Sequence, residues 1–208
     1  MLLRVSVLTA VALLAACGGN KNVKLLYPDP GDAPAIRCAM EIALEEVTDR
    51  RPVEPGIVGY LYGINRNVVG HLETKDDVRQ WVSKSLELEL SRAGFNLHPK
   101  AATKPGALRI AIGIEKILCG TDHAHYPGAV GLGVRVQRAD QVVLEEAFET
   151  KYVGDVNVAG SPEGYGETLG MALRATARQV AAAMTEKIDR TGCETDATGS
   201  RGGRRRPD

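Results

Sequence analysis

Aromatic side chains are scarce in this 208-residue chain: one Trp, six Tyr and two Phe, 4% of the whole. So few rings argue against a platform on which bases or sugars stack. An excess of positive charge is also missing. The 26 basic and 26 acidic side chains cancel, which excludes a nucleic-acid partner, because such a partner needs a basic footprint. No Ser/His/Asp order and no paired-carboxylate signature for hydrolysis stands out, and there is no internal repeat. What is present is an apolar content of 44%. That is enough to pack a core and to exclude wholesale disorder. The length fits one domain.

The N-terminus is set apart from the rest. Arg4 supplies a short positive region, and Val5 to Leu14 is an uncharged stretch of small and apolar residues. Ala15 and Ala16 are small residues at a cleavage position. Residues 1–16 therefore read as a secretory signal peptide, too short for the roughly 20 apolar residues of a membrane span. Leu14-Ala15-Ala16-Cys17 resembles the lipobox of bacterial lipoproteins. That resemblance implies cleavage before Cys17, a diacylglyceryl thioether on its sulfur and an acylated amine. This covalent lipid is the only prosthetic group expected. Several acyl chains anchor stably where a single chain binds marginally. Gly18 follows where an Asp would resemble an inner-membrane retention signal, so the expected location is the periplasmic side of the outer membrane.

Residues 17–35 contain Gly, Asn, Lys and the prolines Pro28, Pro30 and Pro34, and read as a lipidated tether. Residues 36–190 form the single domain. Residues 191–208 are polar and Gly-rich, carry Arg201, Arg204, Arg205 and Arg206, lack apolar periodicity and read as a disordered basic tail. Export places Cys38, Cys119 and Cys193 in an oxidising compartment, where one disulfide is expected. If the strands that carry Cys38 and Cys119 run parallel, Cys38 and Cys193 fall at one end of the domain and form the favoured pair, leaving Cys119 as the thiol. If those strands are antiparallel, Cys38–Cys119 becomes the better pair.

Along the domain, Ile36, Cys38, Met40, Ile42 and Leu44 alternate with Arg37, Ala39, Glu41, Ala43 and Glu45, a strand period. Ile57 to Gly63 is a second strand. A helix is expected to start at Thr74, with Asp76 and Asp77 in its first turn. Val78, Val82, Leu86, Leu90 and Ala93 recur at helical spacing, and Gly94 suits the C′ position. Phe95 to Leu97 resumes as strand. Leu108, Ile110, Ile112 and Ile114 alternate in a further strand. Two more strands flank a hairpin turn at Arg138-Ala139-Asp140-Gln141. Ser161-Pro162-Glu163 caps the last helix, with proline at its first position, although Gly164, Gly166 and Gly170 would allow a start near Glu167. The order is ββαββββα. It predicts an α+β domain of two layers, a mostly antiparallel or mixed sheet with both helices packed on one face. The other sheet face would carry Ala39, Ala43, Ala111, Gly113, Gly131 and Gly133, edged by Arg37, Glu41, Arg109, Glu115 and Arg135.

Three features together resemble a known family: the lipobox, a strand ending in Asp49-Arg50-Arg51 before Val58-Gly59, and a helix closing with Leu90-Ser91-Arg92-Ala93-Gly94-Phe95. The chain looks like the YajG-type bacterial lipoproteins and is similar to the auxiliary lipoproteins of ABC-type lipid-transport systems, over residues 36–190. The resemblance implies a small α/β domain without catalytic residues, attached to a membrane through its lipid and acting on a protein partner in the cell envelope. It implies no enzyme. A binding module for a small ligand, lipid or metal is the alternative. Cys119, Asp122, His123 and His125 form the only cluster of metal-type ligands in the sequence. A thiolate, a carboxylate and two imidazoles would suit zinc or copper, though their spacing matches no recognised site. Gly128, Gly131 and Gly133 superficially look like a phosphate loop, but a strand and not a helix follows them.

Overall fold

The computed structural model describes residues 19–27, 40–63, 65–99, 108–121, 126–154 and 161–188. Eight strands form one mixed sheet: β1 (Lys21–Asn22), β2 (Met40–Asp49), β3 (Ile57–Tyr62), β4 (Val68–Glu73), β5 (Phe95–Pro99), β6 (Leu108–Gly120), β7 (Tyr126–Arg138) and β8 (Gln141–Gly154). The helices are α1 (Val78–Arg92), between β4 and β5, and α2 (Pro162–Lys187), after β8. The fold is α+β, with both helices packed on one face of the sheet, and the expected eight elements occur in the expected order. Two short strands, β1 and β4, are additional.

Strand β6 organises the sheet. One edge pairs along its length with β7, antiparallel, from Leu108↔Arg138 to Cys119↔Gly128. The other edge is shared. Its first half takes β2 in parallel, and its last residues take β3, with Gly59↔Cys119 and Tyr60↔Gly120. From these, β5 extends β2, β4 and then β1 extend β3, and β8 extends β7. The alternation of Ile110, Ile112 and Ile114 persists, and all three are buried under the helices. A bulge between Ile114 and Lys116 then changes the phase, so Ile117 and Cys119 continue the core face. In β2 the simple alternation fails. Ile42 and Ala43 are both fully buried, and a register shift separates Leu44 from Glu46. Residues 36–39, expected to open this strand, lie outside the described residues.

Helix α1 starts later than Thr74. Asp77 is its N-cap, and its carboxylate accepts from the N–H groups of Arg79 and Gln80, satisfying donors that the first turn leaves open. Thr74 instead accepts from Asp76 N through its hydroxyl, a local turn outside the helix. The apolar stripe Val78, Val82, Leu86 and Leu90 is buried, and Gly94 follows with φ of 87°, as a C′ glycine requires. Helix α2 starts at Pro162, capped by Ser161, whose hydroxyl accepts from Gly164 N. The glycines do not delay it, and Gly166 is a packing position: a Cβ there would collide with Lys24 O.

That contact belongs to the largest departure from expectation. Residues 19–27, read from their composition as part of a tether, are built into the domain. Lys21 and Asn22 pair with Leu72 and Glu73 of β4, and Val23 N donates to Glu73 O. Val23 and Leu25 are buried. Leu25 N donates to Asp76, and Trp81 Nε1 donates to Leu26 O. Alternating Val23, Leu25 and Tyr27 bury one side, while the prolines that suggested a tether begin only at Pro28. Tyr27 ends the run by donating its hydroxyl to Glu89 Oε1 at 3.0 Å.

Glu89 itself is 4% exposed. Its carboxylate takes Arg92 at 3.1 Å on α1, and Arg174 and Arg178 of α2 at 3.5 and 3.3 Å. One carboxylate thus joins both helices and the N-terminal segment. Burial beside the Glu89 carboxylate raises the Tyr27 hydroxyl well above its ordinary pKa, so it remains a donor. Among the described residues, no helix is long and apolar enough to cross a membrane.

Replacing Glu89 with Ala removes the buried carboxylate that three guanidiniums and the Tyr27 hydroxyl share and is expected to cost about 3 kcal/mol. The urea midpoint would report the loss. Protease should then cut within residues 19–27 in the variant under conditions where the parent chain is resistant.

Candidate functional site

The sheet face away from the helices has two unlike regions. Near the start of β6 it is a lattice of ion pairs over small residues. Arg109 meets Glu45, Arg50 meets Glu115, Arg135 approaches Glu145, and His98 pairs with Glu41. Ala111, Gly113 and Gly133 line the floor of a 620 Å³ depression between these charges. The small-residue face is therefore real, with Gly131 paired to Glu149 farther along it. Ala43 is fully buried within it. Ala39 and Arg37 lie outside the described residues. Exposed pairs of this kind add little stability, because solvent screens them.

At the other end of β6 the character changes. A cavity of about 430 Å³ is lined by Tyr62, Leu118, Pro127 and Ala129 and rimmed by Arg66, Lys116 and Lys151. No acidic residue lines it among those described. Lys116 is tied to Glu149 at 2.7 Å, whereas no described carboxylate pairs with Arg66 or Lys151. Strand order explains the assembly. Tyr62 and Arg66 come from the β3–β4 hairpin, which reaches the end of β6 through the Gly59↔Cys119 and Tyr60↔Gly120 pairings, and Lys151 comes from β8, two strands away on the other side. These residues escaped the sequence reading because nothing in their spacing joins them. An apolar hollow with a basic rim suits an amphiphilic anion.

Cys119 lies beneath this end, in the core, with no solvent exposure. Burial pushes its thiol up to about 12, against a small opposing effect of the Gly120 backbone N–H. It is a free thiol. Its neighbour Tyr165 is also buried and is pushed up to about 12, chiefly by desolvation. Strands β2 and β6 run parallel, the condition under which Cys38 pairs with Cys193 and Cys119 stays reduced. Cys38 and Cys193 lie outside the described residues, as does Cys17. So do Asp122, His123 and His125, so of the expected metal ligands only the buried thiol is placed. Among the described residues no group of three such ligands assembles.

The charged end of β2 is an ion-paired turn. Arg51, its side chain 2% exposed, grips Asp49 through Nε at 2.8 Å and through its terminal nitrogen at 2.7 Å. It also donates to Ile57 O at 2.8 Å. The Arg51 guanidinium holds the Asp49 carboxyl below its ordinary range, and the pair fixes the path from β2 into β3.

No protein-family model matches the sequence, and no curated protein matches it. Solved structures do. A Xanthomonas campestris protein described under the family model DUF330 superposes with a TM-score of 0.54 at 6% identity, over 81% of this chain and 95% of that one. An uncharacterized protein superposes with a TM-score of 0.52 at 12% identity, over 83% and 99%. The likeness is one of fold. A minor lipoprotein from Acinetobacter baumannii matches more loosely, with a TM-score of 0.42 at 7% identity over 70% of this chain and 92% of that one, too distant to carry an argument.

Because the thiolate is the reactive form, Cys119 should be alkylated at about pH 8 roughly a hundredfold or more slower in the native chain than in denaturant. Timed iodoacetamide labelling with peptide mass spectrometry measures this. Fast native labelling of Cys119 would contradict the burial described.

Proposed function

We propose that this chain is a lipoprotein of the bacterial cell envelope, anchored through lipid on Cys17 and held on the periplasmic side of the outer membrane. Its role is non-enzymatic: an accessory of an envelope transport or assembly system that works by protein–protein contact. The observation that carries the reading is the seating of residues 19–27. The chain leaving the anchor position is hydrogen-bonded to β4 and clamped by Glu89, an arrangement suited to presenting a rigid domain at a membrane. The groups whose titration is shifted serve the fold. Asp49 belongs to a turn, Asp77 caps α1 and Cys119 is kept protonated. The YajG-type and ABC-auxiliary resemblance belongs to this reading, with support from the shared fold alone. The basic-rimmed cavity favours a second reading, a binding module for a small ligand or lipid.

Palmitate labelling of the chain should disappear in Cys17→Ser. Affinity capture from crosslinked membranes should enrich integral components of a transport or assembly machine above a tagged control. Labelling that persists in Cys17→Ser would refute the anchor, and capture no different from the control would refute the accessory role. Native mass spectrometry tests the second reading: a co-purifying small mass supports it and a bare chain does not.

A further inference from the structure

Large apolar side chains are exposed at only five described positions: Tyr62, Val68, Val69, Val142 and Val153. Four of them share one end of the domain. Tyr62, Val68 and Val69 belong to the β3–β4 hairpin, where Tyr62 pairs with Val68. Val153 pairs with Pro127, which lines the same cavity as Tyr62. Scattered exposed apolar residues need no explanation, but a grouped set marks a contact. Arg66 stands between Tyr62 and Val68, held at φ of 58°, and Lys151 lies two residues before Val153.

The same hairpin receives the N-terminal segment. His71 N donates to Asn20 Oδ1 at 3.1 Å, and Asn20 donates to Glu73. Gly19 lies so close to Gly70 that a Cβ there would meet Gly19 O at 2.9 Å. Cys17 is two residues before Gly19. Two residues reach at most about 7 Å. An acyl anchor on Cys17 is therefore confined to the neighbourhood of Val68 and Val69, and cannot swing to the Val142 end, which lies roughly 40 Å away along β6 by strand rise.

We infer that the β3–β4 hairpin, with Tyr62, Val68, Val69 and Arg66, together with Lys151 and Val153, is the surface on which the domain rests against an anionic bilayer. This rests on the reading of Cys17 as the lipid anchor. The occupant is a lipid surface because the tethering length places one there, and because the apolar tips alternate with cations, the pattern that enters the headgroup region while attracting its negative charge. The lipid chains supply the affinity. The hairpin fixes the orientation, leaving the ion-paired end of the sheet face directed away from the membrane.

The test uses the full chain, matured in a bacterial membrane and reconstituted into phosphatidylcholine–phosphatidylglycerol vesicles with brominated acyl chains. Trp81, buried in the core, provides a constant background. A Val68→Trp variant should lose about half of its added emission to bromolipid quenching, as an interfacial side chain would, while Val142→Trp should keep its emission. Arg66→Glu with Lys151→Glu should reduce the Val68→Trp quenching on these vesicles. If the chain floats with vesicles, and Cys17→Ser does not, but Val68→Trp is quenched no more than Val142→Trp, the contact is refuted and the anchor stands. Flotation that survives Cys17→Ser refutes the lipid anchor, and the contact then falls if Val68→Trp in that variant is quenched no more than Val142→Trp. Unquenched Val68→Trp that crosslinks to a second copy assigns the patch to a chain–chain contact and also overturns the inference.

Discussion

The buried carboxylate of Glu89 is the interaction on which the arrangement depends. Burying an ionised group costs several kcal/mol unless its charge and lone pairs are met. Here they are met by Arg92 from its own helix, by Arg174 and Arg178 from α2, and by the Tyr27 hydroxyl. Apolar packing already holds α1 closely against α2. The shared carboxylate adds a directional constraint, because each guanidinium must reach the same two oxygens. The cluster thus sets the helix pair, and the helix pair sets the groove along which residues 23–27 lie.

From that clamp the consequences run toward the membrane end. Tyr27 held at Glu89, Trp81 donating to Leu26 O and Leu25 donating to Asp76 keep the N-terminal segment in place. Its upstream part then adds β1 to the β4 edge. A free tether from Cys17 to the start of β2 would have a root-mean-square span of about 25 Å, enough to let the domain tumble in any orientation. With residues 19–27 docked, the proposed anchor residue is only two positions from a segment fixed to the sheet. The charge pattern of the sheet face gains meaning from this geometry. Its apolar, basic-rimmed end lies beside the anchor position, and its lattice of paired charges lies at the opposite end.

Much of the fold was legible in the amino-acid pattern. The Val78–Leu90 stripe, Gly94, the Ser161-Pro162 cap and the hairpin at Ala139 are local signals, and local signals survive folding. Strand β4 was not legible. Its exposed Val68 and Val69 break alternation, and its existence depends on β3 lying alongside. Strand β1 was hidden by its two-residue length and by a composition that reads as linker, since a chain pairing at one edge needs little apolar content of its own. Thr74 lost the cap to Asp77 because two carboxylate-bonded amides outweigh a hydroxyl turn. The cavity residues Tyr62, Lys116 and Lys151 belong to three strands, and only the double pairing of β6 brings them together.

The central claim is that docking of residues 19–27 holds the domain against the bilayer. Neutron reflectometry of the lipidated chain on a supported phosphatidylcholine–phosphatidylglycerol membrane measures the gap directly. The account predicts a protein layer abutting the headgroups, and a water-filled gap for Glu89→Ala, approaching the roughly 25 Å of a released tether. A comparable gap already present beneath the unaltered chain would contradict it.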